Sequence, residues 1–369
     1  MRVVYLRVED RAYPRNERIR QALHGAGHAV HVVDRVSSGP KPLRLLRDFV
    51  NGLRAARGSS HVIVPEFSLP FVPAAWLIAR LVGAQLIVDA FVGKYETVVE
   101  DWGSVRPGSL RAGWCRYVDG TSARLADILL IDTDARAAIL QRRAGKSTRV
   151  FTLPVGSPAW IRPQPQPHNA QLRVLYSGGA LPLHGIPFFL RGLAETTVTT
   201  SRLTLILAAP TERLQEFRGL ADDLGVLDRC EFVDPVTHAE LIRIVGEHDV
   251  VLGVFGDSPK ARTVLANKVW QGLASGRTVV TRSGPVLSEI ADVAGPLLIG
   301  VADERALAEA LDRLAQRRGG IPDDPGIADR LEAYVNSRFD AFLTALEPVG
   351  VLGSRGATRV STATAEGNR

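Results

Sequence analysis

The residues best equipped for chemistry gather in "KARTVLANKVWQGLASGRTVV", residues 260–280, which reads as a loop, a helix and a strand after the strand-like run "DVVLGVFG". Lys260, Arg262, Asn267 and Lys268 crowd the opening of that helix, where acidic side chains are the usual choice. A helix N-terminus already carries partial positive charge on its unpaired N–H groups. Further cations there cost stability unless an anion arrives to balance them. The pattern is that of an anion socket, with Lys260, Asn267, Lys268 and the helix N–H groups as donors; the plain alternative is lysines that only keep the surface soluble. A second loop of this kind follows "LRVLYSGG". There adjacent Gly178 and Gly179 let the backbone approach a ligand, and His184 stands where it could donate to a phosphate oxygen, although a tight strand-to-helix turn with a polar cap uses similar residues.

The elements that must position these groups alternate along the whole chain. β-like runs ("RVVYLRV", "HAVHVVD", "HVIVPEF", "AQLIVDAF", "DILLID", "TRVFTLP") are separated by helical patterns, which predicts an α/β fold with parallel sheets covered on both faces. In "PRNERIRQALHGAG" proline opens the first turn, glycine closes the last, and Ile19, Ala22, Leu23 and Ala26 share one face. "LPVGSPAWIRPQPQPHNAQ" is too proline-rich for regular structure, and beyond it the alternation restarts. The expected division is therefore 1–158, a linker 159–170, a second domain 171–326, a helix 327–347 that could return to the first domain, and a disordered Gly/Ser/Thr-rich tail 348–369. Two doubly wound, Rossmann-like domains would face each other across a cleft at the carboxyl ends of their strands.

Composition narrows the partners. With 369 residues, 46% hydrophobic and 23% charged, the chain is a globular protein of two domains. A charge of +6 without long like-charge runs, and only 6% aromatic residues, argues against nucleic acid and leaves an anionic small molecule or a membrane face. Cys115 and Cys230 lack metal spacing. The opening "MRVVYLRVEDR" is too short an apolar run for a secretory signal. "FVPAAWLIARLVGAQLIVDAF" is interrupted by Arg80, Gly83, Gln85 and Asp89, short of the about 20 apolar residues of a membrane span. The expectation is a cytoplasmic protein able to rest at the inner face of the membrane, although no amphipathic anchor stands out. High arginine and alanine use points to a GC-rich bacterial genome.

Taken together, "YSGGALPLHGIPFFLRGL", "DVVLGVFGDSPKARTVLANKVWQGLASGRTVVT" and "SGPVLSEI" resemble the C-terminal half of retaining GT-B glycosyltransferases, most nearly glycosyltransferase family 4 (glycosyl transferases group 1). "YPRNERIRQALHGAGHAV" and "VPEFSLPFVPAAWLIARLVGAQLIVDAFVGKYETVVEDW" look like the acceptor-side half, so the resemblance spans roughly residues 1–345. It departs from the family pattern at the glutamate pair, which falls on Thr263 and Gln271, and at the basic loop residues, which fall on Gly179 and His184. The resemblance implies transfer of a hexose, with retention and without metal or cofactor, from a nucleotide-diphosphate sugar to a hydroxyl of a saccharide, lipid-linked glycan or natural product. It implies donor contacts at Gly178, Gly179, Lys260, Asn267, Lys268, Gln271 and Ser283, and catalytic roles for Asp89, His184 and Lys260. Asp89 at a strand end also suits an N-cap, and Glu289 suits a cap better than a donor contact. Arg15, Asn16, Tyr95 and Asp101 are the acceptor-side candidates. A sugar-nucleotide epimerase on the same fold and a non-catalytic nucleotide-sugar-binding protein are the alternatives.

Overall fold

The computed structural model describes residues 1–317 and 324–346; the tail expected from residue 348 lies outside them. The first half contributes β1 (Arg2–Val8), α1 (Pro14–Gly25), β2 (Ala29–Asp34), α2 (Lys41–Ala56), β3 (His61–Val64), α3 (Val72–Val82), β4 (Gln85–Asp89), α4 (Leu110–Leu125), β5 (Ile128–Ile131), α5 (Asp134–Gln141) and β6 (Arg149–Thr152). The second half contributes β7 (Arg173–Gly179), α6 (Ile186–Ala194), β8 (Arg202–Ala208), α7 (Thr211–Asp223), β9 (Cys230–Val233), α8 (His238–Gly246), β10 (Val250–Leu252), α9 (Asn267–Ala274), β11 (Thr278–Arg282), α10 (Ala291–Ala294), β12 (Leu298–Val301), α11 (Glu304–Gln316) and α12 (Ile327–Leu346).

Two six-stranded parallel sheets result, ordered β2-β1-β3-β4-β5-β6 and β12-β11-β10-β7-β8-β9. Parallel pairing requires a crossover after each strand, and strands covered on both faces read as unbroken apolar runs. β3 and β5 are buried at every position, as that rule demands. Strand order reverses between β1 and β3 in one sheet and between β7 and β10 in the other, and the crevices at those points are where such sheets take ligands.

Alternate residues of the first sheet face opposite layers. Val4, Leu6, Val62 and Val64 pack against α2, α3 and α4, whereas Val3, Tyr5, Ile63 and Ile87 pack with Ile19 and Leu23 of α1. That second core continues through Val335, Phe339 and Phe342 of α12 to Val269, Trp270 and Leu273 of α9. One apolar core therefore runs through both halves, joined by α12. Pairs between Arg18 and Glu332 (2.6 Å) and between Arg338 and Asp134 (2.6 Å) fasten α12 to the first half. Among the described residues no helix is long and apolar enough to cross a membrane.

Candidate functional site

The carboxyl ends of the two sheets enclose a cavity of about 610 Å³. Tyr13, Phe67, Phe91, Thr97, Asp101, Asp132 and Arg136 form one wall; Gly178, His184, Lys260, Asn267, Lys268 and Gln271 form the other.

The helix expected to open near Lys260 begins only at Asn267; residues 260–266 are an irregular turn. Ala266, its N-cap, supplies no side-chain oxygen, so the first N–H groups of α9 have no capping partner. Lys268 lies in this first turn and is 6% exposed. Its Nζ has no hydrogen-bond partner and hangs 3.9 Å from the centre of the Tyr176 ring. Burial pushes the ammonium down to about 7. The facing backbone is Gly178, whose φ of +146° disfavours any side chain and whose Cβ would stand 2.9 Å from that nitrogen. An unpaired cation, open helix N–H groups and bare backbone thus converge in one place.

The loop after β7 is held by the loop after β10. Phe255 N–H donates to the His184 carbonyl (3.1 Å) and Gly256 N–H to that of Leu183 (3.0 Å). Gly185, at φ +64°, permits this approach, because a Cβ there would meet the Phe255 backbone at 2.5 Å. His184 Nδ1 lies 2.5 Å from the Gly179 carbonyl. A carbonyl only accepts, so Nδ1 carries the proton and Nε2 presents a lone pair. Burial, with Lys268 nearby, pushes the imidazole down to about 3. The neutral ring is therefore an acceptor at Nε2 rather than the phosphate donor expected from its position.

Lys260 also differs from expectation. It reaches across the cleft, donating to Thr97 Oγ1 (3.0 Å) and pairing with Glu96 (3.4 Å). Glu96 in turn binds Arg136, which pairs with Asp132 at 2.5 Å. The charge of Lys260 is answered by the first half of the chain and that of Lys268 is not. Asp101 completes this wall; burial raises its pKa, and its Oδ1 is unpartnered.

Several expected residues stand elsewhere. Asp89 ends β4 as read, but it lies behind the cleft wall, 2.8 Å from Arg15 Nε, with both side chains 2% exposed. Arg15 also donates to the Leu153 carbonyl (2.5 Å), so this pair fastens the sheet ends, and neither residue lines the cavity. Asn16 is buried on the Asp10 carbonyl (3.3 Å). Tyr95 lines a smaller adjoining cavity and accepts a hydrogen bond from Arg116 (2.7 Å). Ser283 lies outside the cavity lining, its N–H bonded to Val301. Glu289 is a cap, though for α5 of the other half: it accepts from the N–H groups of Asp134 (2.9 Å) and Ala135 (2.8 Å).

The sequence reading missed the aromatic wall of Tyr13, Phe67 and Phe91, in which Phe67 holds a left-handed φ of +47°. It also missed an apolar slot of Ile206, Val236 and Leu241 beside His238, whose ring stacks on Trp160 at 4.4 Å. Apolar residues at strand ends carry no pattern that separates a slot from a core. The strained Phe67 has no sequence signal at all.

No family model matches the chain, and no curated protein matches it. Solved structures do. Sucrose-phosphate synthase from Thermosynechococcus elongatus superposes with a TM-score of 0.64 at 16% identity, over 94% of this chain and 97% of that one. HepE from Anabaena, in complex with UDP, gives 0.63 at 13% identity over 94% and 97%. The E. coli trehalose-6-phosphate structure bound with UDP-2-fluoro glucose gives 0.64 at 14% identity over 94% and 99%. Likeness at this identity speaks to architecture: the chain has the GT-B fold, two parallel α/β sheets that face each other across a cleft.

Proposed function

We propose that this protein is a glycosyltransferase that binds a nucleotide-diphosphate sugar between the halves of its GT-B fold and transfers the sugar, with retention and without metal, to an acceptor hydroxyl. The observation that carries this reading is Lys268, a buried ammonium with no partner beside the open N–H groups of α9 and the bare backbone of Gly178. A diphosphate satisfies all three. Gln271, one turn further along α9, then meets the ribose hydroxyls, and the slot of Val236 and Leu241 takes the flat base. That neighbouring structures hold UDP and UDP-2-fluoro glucose makes uridine nucleotides the first probes.

The chemistry follows from charge. As the bond between the anomeric carbon and the phosphate oxygen breaks, the sugar gains oxocarbenium character and the diphosphate gains negative charge. Lys268 and the α9 N–H groups, already oriented, stabilise that charge at the moment it grows. The acceptor oxygen bonds to the anomeric carbon from the same face, and its proton passes to the departing phosphate oxygen, so the protein need supply no base. His184 Nε2 is an acceptor for a sugar hydroxyl. The Lys260–Glu96 contact closes the two walls over the donor and keeps water from hydrolysing it.

Calorimetric titration with UDP, GDP, ADP and TDP tests the donor site: at least one should bind the protein and bind Lys268→Met about a hundredfold or more weaker. Incubation with the matching sugar nucleotide alone separates transfer from epimerisation, because an epimerase changes the sugar with no acceptor present. Absence of binding by all four nucleotides would end the proposal.

A further inference from the structure

We propose that the outer face of the α2–α3–α4 layer docks on an anionic lipid bilayer. Eight of the eleven large apolar side chains exposed among the described residues lie on these three helices. They form stripes at helical spacing: Leu43 and Leu46 on α2, Leu77 and Leu81 on α3, and Leu110, Trp114 and Tyr117 on α4. Leu110 is 96% exposed and Trp114 49%, far from what a solvated helix face requires of leucine and tryptophan. Because all three helices cover the same face of one sheet, the stripes share one layer.

The charge on the same helices is one-sided. They carry eight lysines and arginines against two carboxylates, Asp48 and Asp119. Both carboxylates are turned inward. Asp48 is buried against Arg7 (2.8 Å), and Asp119 accepts from the N–H groups of Lys94 and Tyr95 (2.8 Å each). What faces out is apolar and cationic: leucines and interfacial aromatics among arginines such as Arg47, Arg54 and Arg111. That combination suits the boundary between acyl chains and anionic headgroups. A second copy fits less well, because a twofold interface would set this cationic face against itself. Single helices conceal the surface, since each bears only two or three such residues; the anchor exists once the sheet aligns them. The docking stands independently of the reaction in the cleft.

Flotation of the full chain with phosphatidylcholine vesicles, with and without phosphatidylglycerol, tests this. The protein should float with the anionic vesicles, stay behind with the neutral ones, and detach as salt rises. Each arginine near the surface is worth about a fivefold change in partition, so Arg47→Gln/Arg54→Gln/Arg111→Gln should bind about a hundredfold more weakly. Leu110→Ser, at a side chain almost wholly in solvent, should also weaken binding without moving the melting temperature. No flotation, equal flotation with both vesicles, no effect of the arginine variant, or a dimer in light scattering that this variant abolishes would each overturn the proposal.

Discussion

Replacing Lys268 by methionine should make the protein more stable and less able to bind nucleotide. Methionine keeps the length of the side chain and removes the charge. The drop of the ammonium from 10.5 to about 7 corresponds to roughly 5 kcal/mol against its charged form in the folded state. The face of Tyr176, 3.9 Å away, offsets about 2 kcal/mol of that at most. The sign with pH is explicit. An unfolded lysine holds its proton up to about pH 10. The folded one releases it near 7, so between those values the unfolded state binds more protons and stability rises with pH. The advantage of Lys268→Met is thus largest below pH 7, a few kcal/mol, and fades toward pH 10. Denaturant unfolding at pH 6 and pH 9 measures this directly, and titration with UDP should show affinity lower by about a hundredfold or more, as expected when a buried charge loses its partner. A variant that is less stable at pH 6 and binds nucleotide unchanged would refute the reasoning, since the ammonium would then have a native partner and no vacancy for an anion.

The remaining expectations concern the same walls. Binding a diphosphate raises the Lys268 pKa, so nucleotide affinity should fall by up to about tenfold per pH unit above 7, with proton uptake visible when titrations are repeated in buffers of different ionisation enthalpy. Gly178→Ala puts a methyl group 2.9 Å from Lys268 Nζ at a left-handed φ, and should abolish nucleotide binding while lowering stability by about 1–3 kcal/mol in denaturant unfolding. Asp89→Ala leaves Arg15 buried and unpaired, so it should cost about 3–5 kcal/mol, yet the folded fraction should bind UDP as before; lost affinity at full stability would place Asp89 in the cleft instead.

Much of this protein is legible in its residues. The central strands, such as β3 and β5, fall within unbroken apolar runs, because a strand buried on both faces leaves little room for polar residues. The edge strands β2 and β9, exposed or half-buried, mix polar with apolar residues and are legible only from the alternation of the chain. Lys268 in the first turn of a helix after a buried strand is legible as a candidate for meeting an anion, since local charge and local backbone suffice to mark it. The tertiary structure decided which charges were already spent. Lys260 and Lys268 look alike in sequence, but one meets Glu96 across the cleft and the other meets nothing. Asp89 resembles a cleft residue until Arg15, distant in sequence, is folded beside it. Glu289 is recognisable as a cap, yet the helix it caps belongs to the other half of the chain. A side chain's type and its nearest neighbours along the backbone determine what it can do; whether it remains available depends on partners that only folding brings within a few ångströms, because electrostatic and hydrogen-bond energies are set by distance and burial rather than by order along the chain.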